Sequence, residues 1–153
     1  MNNILLIDDN MLLLETLAMV FGAQLKGCNI LTARNGAEGI ALIDSMPVAL
    51  ILTDLEMPVM DGYGVISHRN KSCPQVPLFV MSGRLSPEVR EKLGELGVTE
   101  CIEKPFYFEQ IRDKIAVALN VEPIDEVWNN RPSVATSRIR RQDARMSEQQ
   151  QER

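Results

Sequence analysis

Short apolar runs recur along the chain, and each of them ends in polar or turn-forming residues. A continuous apolar run of strand length is typical of a parallel strand that is covered on both faces, because a strand with one wet face alternates apolar and polar residues. The pattern therefore predicts five buried strands, at residues 3–8, 28–33, 49–54, 77–82 and 98–103.

The segments between these runs have the features of helices and turns. Apolar residues recur at the spacing of one helix face at Leu14, Leu17 and Phe21, and again at Ile111 and Ile115. Ser86 followed by Pro87 predicts a helix start, since serine caps free amides and proline fits the first turn. Gly62 and Gly64 follow the third strand, where we expect them to supply permissive backbone for a turn.

Repeated strand-then-helix units predict a parallel sheet with helices on both faces. The predicted fold class is therefore a doubly wound α/β domain with a five-stranded parallel sheet, spanning residues 1–121. The following residues 122–153 are rich in Arg, Gln, Ser and Asn and have too few apolar residues for a core of their own. We expect a polar tail that is disordered or partly helical, with Trp128 as a candidate anchor on the domain.

Charge and hydropathy narrow the class of protein. The formal net charge of -5 argues against nucleic-acid binding, because polyanions are attracted to basic surfaces. The first residues lack a basic segment, and their apolar run is too short for a signal peptide or a membrane span. A cytoplasmic protein with no membrane contact is the resulting expectation.

The cysteines offer no recognisable metal set. Cys28, Cys73 and Cys101 form no CxxC pair, and the chain has a single histidine. Free cysteine is among the most buried residue types, so we expect reduced and mostly buried thiols.

Chemically active side chains follow the predicted strands at the points where the strands end. Asp8, Asp9, Asp54, Ser82 and Lys104 all lie at such ends. In a doubly wound sheet the carboxyl ends of parallel strands meet at one edge, where ligands bind. Three carboxylates crowded there repel one another unless a cation neutralises them, and their hard oxygen atoms favour Mg²⁺. The set therefore predicts a magnesium-dependent phosphoryl site.

Each residue type suits a role in phosphoryl transfer. Asp54 ends the central apolar strand and is the predicted nucleophile, because an aspartate carboxylate can form an acyl phosphate. Lys104 would supply a positive charge, and the Ser82 hydroxyl would donate a hydrogen bond to a phosphoryl oxygen. Asp8 and Asp9 would hold the metal together with Asp54.

In order along the chain, these residues resemble the receiver domain of the bacterial two-component response-regulator family. The resemblance rests on Asp8-Asp9, on the segment 54–62 (Asp-Leu-Glu-Met-Pro-Val-Met-Asp-Gly), on Ser82-Gly83 and on Lys104-Pro105-Phe106. It covers nearly all of residues 1–121. Each motif alone has low specificity, whereas the ordered set at strand ends is highly specific.

The resemblance implies several further properties. It implies a flavodoxin-like strand order of 2-1-3-4-5, a cis peptide between Lys104 and Pro105, and a metal ligand from the backbone carbonyl of Glu56. It implies a signalling switch rather than an enzyme, with a histidine kinase as phosphodonor. Phosphorylation would alter binding of a downstream protein at the surface of the fourth helix, fifth strand and fifth helix, through which a weak homodimer is also expected.

One position departs from the family pattern. Receivers usually carry Tyr or Phe three residues before the lysine, where the ring changes its burial on activation, and here that position is Cys101. A small thiol cannot reproduce the movement of a ring. The family's positions that tune dephosphorylation correspond to Glu56 and Arg84, which could pair across the cleft and hinder the attacking water.

Three alternatives stay open from the residues. A pseudo-receiver that serves only as a docking surface would keep the fold, although intact Asp54 and Lys104 argue against it. A phosphatase of the haloacid-dehalogenase type needs an aspartate two residues after the nucleophile, where this chain has Glu56. A flavodoxin-like carrier of flavin mononucleotide needs a phosphate loop after the first strand, where Asp8 and Asp9 would repel the phosphate.

Overall fold

A computed structural model describes residues 1–124 of the 153-residue chain. The described strands are β1 (Asn2–Ile7), β2 (Cys28–Ala33), β3 (Leu50–Asp54), β4 (Leu78–Ser82) and β5 (Glu100–Glu103). The described helices are α1 (Met11–Gln24), α2 (Gly36–Ser45), α3 (Gly62–Ser72), α4 (Pro87–Glu95) and α5 (Phe108–Leu119). Every strand pairing is parallel, and the strand order is β2-β1-β3-β4-β5. The predicted doubly wound α/β fold with the order 2-1-3-4-5 is confirmed.

The sheet separates two apolar layers because successive strand residues point to opposite faces. Ile4, Leu6 and Leu52 face the layer that contains residues of α1 and α5. Leu5 and Ile51 face the other layer, which contains residues of α2, α3 and α4. Both faces of the central strands are therefore buried, which explains why the strand sequences are continuous apolar runs.

The fifth strand is shorter than the sequence pattern predicts. The apolar pattern begins at Val98, whereas β5 begins at Glu100. The amide of Val98 donates instead to the Leu93 carbonyl at 3.0 Å, and Gly97 has a φ of 81°, in the left-handed region. Val98 thus belongs to the C-terminal cap of α4, where hydrogen bonds to the last helical carbonyls replace strand pairing.

Polar caps fix the starts of the helices that approach the carboxyl edge of the sheet. The side chain of Asn10 accepts from the Leu13 amide at 3.2 Å, and that of Asp61 accepts from the Gly64 amide at 3.1 Å. The Ser86 hydroxyl oxygen accepts from the Val89 amide at 3.2 Å. The predicted helix start at Ser86 is confirmed.

The chain beyond α5 turns back toward α1. Asn120 has a left-handed φ of 51°, Pro123 forms an antiparallel bridge with Leu25, and the Ile124 amide donates to the Gln24 carbonyl at 2.7 Å. Trp128 and most of the predicted tail lie outside the described residues, so the domain division at residue 121 stays a prediction. None of the helices in residues 1–124 has the length and apolar character that a membrane crossing requires.

The three cysteines are free, as predicted, but each of them is partly exposed rather than fully buried. Partial burial still raises the pKa of every one of these thiols. Cys73 and Cys101 pack at the margin of the second core layer, where they act as small apolar groups.

Candidate functional site

The parallel register brings four strand ends to one edge of the sheet. Asp54 is the last residue of β3 and pairs with Met81, one residue before Ser82 at the end of β4. Asp8 follows β1 directly, and its amide still donates to the Ala33 carbonyl at 3.1 Å. Lys104 follows β5, and its amide donates to the Ser82 carbonyl at 2.9 Å. The predicted site residues are therefore held by the sheet itself.

Three carboxylates form the centre of the site. One oxygen atom from each of Asp8, Asp9 and Asp54 lies within 4.8 Å of the others. Asp8 is fully buried and Asp54 is 8% exposed, whereas Asp9 is exposed to solvent. The cluster is thus open on the side of Asp9 and closed by protein on the side of the strands.

Lys104 is the cation that the fold supplies to this cluster. Its Nζ atom lies 2.9 Å from Oδ2 of Asp8 and 3.5 Å from Oδ2 of Asp54. The lysine side chain is 27% exposed, while that of Asp8 is 1% exposed. The contact is a charge-assisted hydrogen bond to a buried acceptor, which is stronger than a pair on the surface.

Backbone amides hold the two buried carboxylates in place. The Leu55 amide donates to Oδ1 of Asp54 at 2.8 Å, and the Asn10 amide donates to Oδ1 of Asp8 at 2.9 Å. In each residue one carboxylate oxygen is therefore fixed by an amide, while the other oxygen contacts Lys104. This arrangement orients both carboxylates toward the same point at the strand ends.

The electrostatics of the site favour a cation. Burial raises the pKa of Asp54, and the charge of Asp8 raises it further, against the opposing effects of Lys104 and the Leu55 and Glu56 amides. Burial acts to lower the pKa of Lys104, but its hydrogen bond to Asp8 and the charges of Asp8 and Asp54 raise the pKa above the ordinary value. The carboxylate charge is thus stabilised only in part by the protein.

The charge and chemistry of the donor set fit a divalent metal ion. Three ionised carboxylates and one ammonium group leave two negative charges in the cluster, which a divalent cation would balance. All the side-chain donors are hard carboxylate oxygen atoms, the type of ligand that Mg²⁺ prefers. The residues Asp8, Asp9 and Asp54 therefore fit the predicted magnesium site.

Ser82 and Glu56 both contact Arg84, Ser82 through the backbone amide and Glu56 through the side chain. Ser82 is 2% exposed, and its Oγ atom accepts a hydrogen bond from the Arg84 amide at 3.1 Å. The Glu56 side chain is 63% exposed and lies 4.0 Å from Nε of Arg84, whose side chain is 83% exposed. The predicted pairing of Glu56 with Arg84 is present as a loose surface contact, whereas the role of the Glu56 carbonyl stays a prediction.

A cleft of about 470 Å³ lies beside Glu56 and Arg84. It lies between the loop after β3 and the start of α4, and Glu56, Asp61, Tyr63 and Arg84 are among its lining residues. The Nζ atom of Lys92 lies 4.5 Å from the centre of the Tyr63 ring, a cation–π contact that ties α4 to α3. Local sequence spacing does not predict this contact, because nothing in it places Lys92 beside Tyr63.

The loop after β3 is held by close packing. Met60 fills a slot in which a Cβ atom on Gly36 would lie 2.8 Å from Met60 Cγ, and one on Gly64 would lie 2.6 Å from the same atom. The left-handed residue of this loop is Val59, with a φ of 68° and 85% exposure. Gly62 and Gly64 both lie in α3 and neither has a positive φ, so the prediction that they supply permissive backbone for a turn was wrong. Gly64 instead provides space for Met60.

Comparison with known proteins identifies the family. The sequence profile of the response regulator receiver domain matches residues 4–116. The chain belongs to the response regulator receiver family. Its cis peptide between Lys104 and Pro105 agrees with the implication drawn from the family resemblance.

The curated relatives are longer than this receiver chain. The transcriptional regulatory protein PrrA of Mycobacterium tuberculosis is 31% identical over 117 residues, which are 76% of this chain and 49% of PrrA. A cyclic di-GMP phosphodiesterase of Thermotoga maritima is 29% identical over 116 residues, 76% of this chain and 30% of the relative. The chain thus spans less than half the length of these two proteins.

Solved structures agree with the receiver fold. The response regulator protein TrrA of Thermotoga maritima, in complex with Mg(2+)-BeF, has a TM-score of 0.68 and 26% identity, covering 78% of this chain and 100% of TrrA. The chemotaxis protein CheY4 of Vibrio cholerae has a TM-score of 0.71 and 24% identity, covering 78% of this chain and 99% of CheY4. The second likeness establishes the fold alone.

Cys101 stands where the family resemblance leads us to expect an aromatic residue. This residue pairs with Val80 in the register of β4 and β5, and its side chain contacts the second core layer while staying partly exposed. Its neighbours on β5 bind the flanking helices: Glu103 lies 3.5 Å from Arg90 of α4, and Glu100 lies 3.0 Å from Lys114 of α5. The position therefore holds a small side chain between two surface ion pairs.

Proposed function

We propose that this receiver is a phosphorylation switch that accepts a phosphoryl group on Asp54 from a histidine kinase. The observation that carries the proposal is the contact of Lys104 with both Asp8 and Asp54 inside a three-carboxylate cluster. Buried like charges of this kind are costly for the fold, so a purely structural role does not account for them. A site for a transferred dianionic group and its counterion does.

Asp8, Asp9 and Asp54 would hold Mg²⁺, together with the backbone carbonyl of Glu56. When bound, the ion supplies positive charge that shields the incoming phosphoryl oxygens from the carboxylates. The similarity to TrrA, whose structure is a complex with Mg(2+)-BeF, supports this assignment. The exposure of Asp9 leaves a solvent route by which an ion and its waters can enter.

The chain's own residues would act on the phosphoryl group in defined ways. Oδ2 of Asp54, the carboxylate oxygen that the Leu55 amide does not hold, would attack phosphorus, so that an O–P bond forms and the P–N bond of the phosphohistidine breaks. The leaving imidazole nitrogen would take a proton from solvent. The Leu55 amide holds the other carboxylate oxygen at 2.8 Å, which fixes the direction of attack. As negative charge moves from Oδ2 of Asp54 to the transferred phosphoryl oxygens, Lys104 would exchange its contact with Oδ2 for a contact with those oxygens.

Ser82 would connect phosphorylation to the surface of the domain. Its Oγ atom accepts a hydrogen bond from the Arg84 amide, so rotation of the whole side chain about χ1, which moves Oγ toward a phosphoryl oxygen, would remove that bond from the loop before α4. The loop ends at Ser86, which caps α4. We therefore propose that the change reaches α4 through this loop, since Cys101 offers no ring to transmit it.

The output would be altered binding of a downstream protein at the surface of α4, β5 and α5. A weak homodimer through the same surface and a cytoplasmic location belong to this proposal. Two ion pairs lie on that surface, one between Arg90 and Glu103 and one between Lys114 and Glu100. A partner that binds there would either preserve these pairs or replace them with its own.

The two rival functions receive less support from the geometry. A phosphatase of the haloacid-dehalogenase type needs a proton donor beside the nucleophile, but the Glu56 side chain is 63% exposed and faces Arg84. A pseudo-receiver that only docks partners would not need a lysine held between two buried carboxylates. The phosphoacceptor role accounts for this contact directly.

The test is intact mass spectrometry of the protein after incubation with acetyl phosphate and Mg²⁺. We expect the mass of one phosphoryl group to be gained, and to be lost with a chelator or with Asp54→Asn. A matched control is Asp44→Asn, because this surface carboxylate lies on α2 and should leave the gain unchanged. If neither acetyl phosphate nor phosphoramidate modifies the chain, the docking-only function is favoured.

A further inference from the structure

Strand β3 carries one polar side chain before Asp54. Its sequence is Leu-Ile-Leu-Thr-Asp, and all five residues are buried. Thr53 is fully buried, and the residues that it pairs with, Ile7 on β1 and Val80 on β4, are apolar and equally buried. A hydroxyl among apolar groups is costly unless it forms a hydrogen bond. The hydrogen bond that Thr53 forms therefore indicates the role of this residue.

The Thr53 hydroxyl holds the backbone of the proposed phosphoacceptor. Its Oγ1 atom donates to the Asp54 carbonyl oxygen at 2.8 Å. That carbonyl belongs to the same planar peptide unit as the Leu55 amide, which donates to Oδ1 of Asp54 at 2.8 Å and to the Met81 carbonyl at 3.2 Å. Because the peptide unit is rigid, a hydrogen bond to its carbonyl also restrains the direction of its amide.

Helix α3 packs against the same peptide unit. A Cβ atom on Gly62 would lie 2.5 Å from the Asp54 carbonyl oxygen and 2.9 Å from Cα of Leu55. The Gly62 amide also donates to the Leu55 carbonyl at 2.9 Å. The peptide unit that follows Asp54 is therefore held by a hydroxyl from its own strand and by the first residue of α3.

We propose that Thr53 is a positioning residue for the phosphorylation of Asp54. The hydroxyl fixes the carbonyl of the Asp54–Leu55 peptide, the amide of that peptide holds Oδ1, and Oδ2 stays directed toward Lys104 and the incoming phosphorus. Such a nucleophile reacts faster because it needs no further reorientation. The inference rests on the proposed function and adds to it a buried residue outside the carboxylate cluster.

Two pairs of side chains isolate the hydroxyl in the full chain. Threonine and Thr53→Val share a β-branched shape, and Thr53→Ser and Thr53→Ala share a smaller one, but only the first member of each pair has a donor. Phosphorylation by acetyl phosphate with Mg²⁺ is followed by intact mass. We expect the maximal rate to be about tenfold lower without the hydroxyl in either pair, which is the effect of about one lost hydrogen bond.

The dependence of the rate on acetyl phosphate separates positioning from binding. Thr53 is fully buried, so it cannot contact the phosphodonor. The concentration of acetyl phosphate that gives half the maximal rate should therefore be the same in all four proteins. Circular dichroism of each variant checks that the fold is kept.

Hydrogen exchange reports on the peptide unit without phosphoryl chemistry. In the absence of Mg²⁺ and acetyl phosphate, the Leu55 amide should exchange about fivefold faster in Thr53→Val than in the unmodified chain, because its restraint is weaker. The Ile51 amide, which donates to the Pro77 carbonyl at 3.0 Å, is the reference within the same strand and should not change.

Thr99→Val is the matched control. Oγ1 of Thr99 accepts a hydrogen bond from the Leu78 amide at 3.1 Å, at the start of β4 and therefore at the opposite edge of the sheet. The variant also removes a hydroxyl that is bonded to the backbone of a strand. It should leave the phosphorylation rate and the exchange of the Leu55 amide as they are in the unmodified chain.

The outcomes distinguish this inference from the proposed function. Equal maximal rates within the two pairs would overturn the positioning role, and so would a lower rate with unchanged exchange at Leu55. Faster exchange with an unchanged rate would assign the hydroxyl to strand stability alone and would overturn it as well. If the unmodified chain itself gains no phosphoryl group, the proposed function fails and the positioning role fails with it.

Discussion

Replacing Lys104 with methionine tests whether this lysine and a metal ion neutralise the same carboxylates. Methionine has a similar length and keeps apolar packing, so Lys104→Met removes the charge with little change in volume. Asp8 and Asp54 would then lose the cation that lies 2.9 and 3.5 Å from their Oδ2 atoms. The variant should therefore be less stable and should respond more strongly to Mg²⁺.

The magnitude follows from the burial of the partners. Breaking a fully buried ion pair costs about 3–5 kcal/mol, while an exposed pair is worth about 0–1 kcal/mol. The Asp8 side chain is 1% exposed but that of Lys104 is 27% exposed, which places this pair between the two cases. We expect a loss of about 2 kcal/mol in the free energy of unfolding, or about 1 M in the urea midpoint.

The direction of this change in the free energy of unfolding follows from the pKa of Lys104, which the folded protein raises. A raised pKa stabilises the fold at every pH below the unfolded value, and this stability is lost as the pH rises through the folded pKa. Urea unfolding at neutral pH therefore measures the full loss of stability caused by Lys104→Met. Mg²⁺ at about 100 times its dissociation constant adds about 2.7 kcal/mol to either protein, but the variant needs less Mg²⁺ to reach that level.

Lys114→Met is the matched control, because Lys114 contacts Glu100 at 3.0 Å with both side chains about two-fifths exposed, at 42% and 40%. Its effect on stability should stay below about 1 kcal/mol and should not depend on Mg²⁺. The reasoning fails if Lys104→Met is as stable as the unmodified chain, or if Mg²⁺ has the same apparent affinity for both.

Four further predictions concern other residues of the domain. Without Mg²⁺, Asp54→Asn should be more stable than the unmodified chain at neutral pH, because the raised pKa of Asp54 favours its protonated form; urea titrations should show the gap closing as the pH falls through that pKa. Gly64→Ala should cost about 1–3 kcal/mol in thermal unfolding and be rescued by Met60→Ala. Gly36→Ala should resist that rescue, since its Cβ would also lie 2.7 Å from the Met60 carbonyl oxygen. Arg84→Ala should shorten the acyl-phosphate lifetime, followed by mass, by at most about fivefold, because its exposed ion pair is worth no more than about 1 kcal/mol.

The sequence predicted the sheet well because the two-sided burial of a parallel strand leaves a continuous apolar run. Ile4, Leu5 and Leu6 are all fully buried, although they point alternately to the two faces of the sheet. The strand ends could be predicted for the same reason, since the first carboxylate after such a run marks the sheet edge. Asp8 and Asp54 were placed together by this argument, and the structure has them within 4.8 Å, together with Asp9.

What the sequence did not reveal depends on contacts between distant segments. Val98 belongs to the apolar pattern that predicts the fifth strand, but its amide donates to the Leu93 carbonyl at the end of α4. β5 therefore starts later, at Glu100. Gly64 follows a strand as turn glycines do, yet its function is to leave room for Met60. The left-handed position falls on Val59, a β-branched residue that local rules would exclude from it.

The arrangement of charges supports the proposal that one edge of this domain acts as a switch. At the strand ends the fold buries the carboxylates of Asp8 and Asp54 and brings the single positive charge of Lys104 into contact with them. A divalent ion would balance the two remaining negative charges, and phosphorylation of Asp54 would then add about one more, since a phosphoryl group carries close to two. A hydroxyl at the strand ends would donate a hydrogen bond to the added phosphoryl oxygens, and Ser82 is the buried hydroxyl at the end of β4. Its movement would withdraw the acceptor from the Arg84 amide, so a change in charge at the strand end becomes a change in the loop that leads into α4.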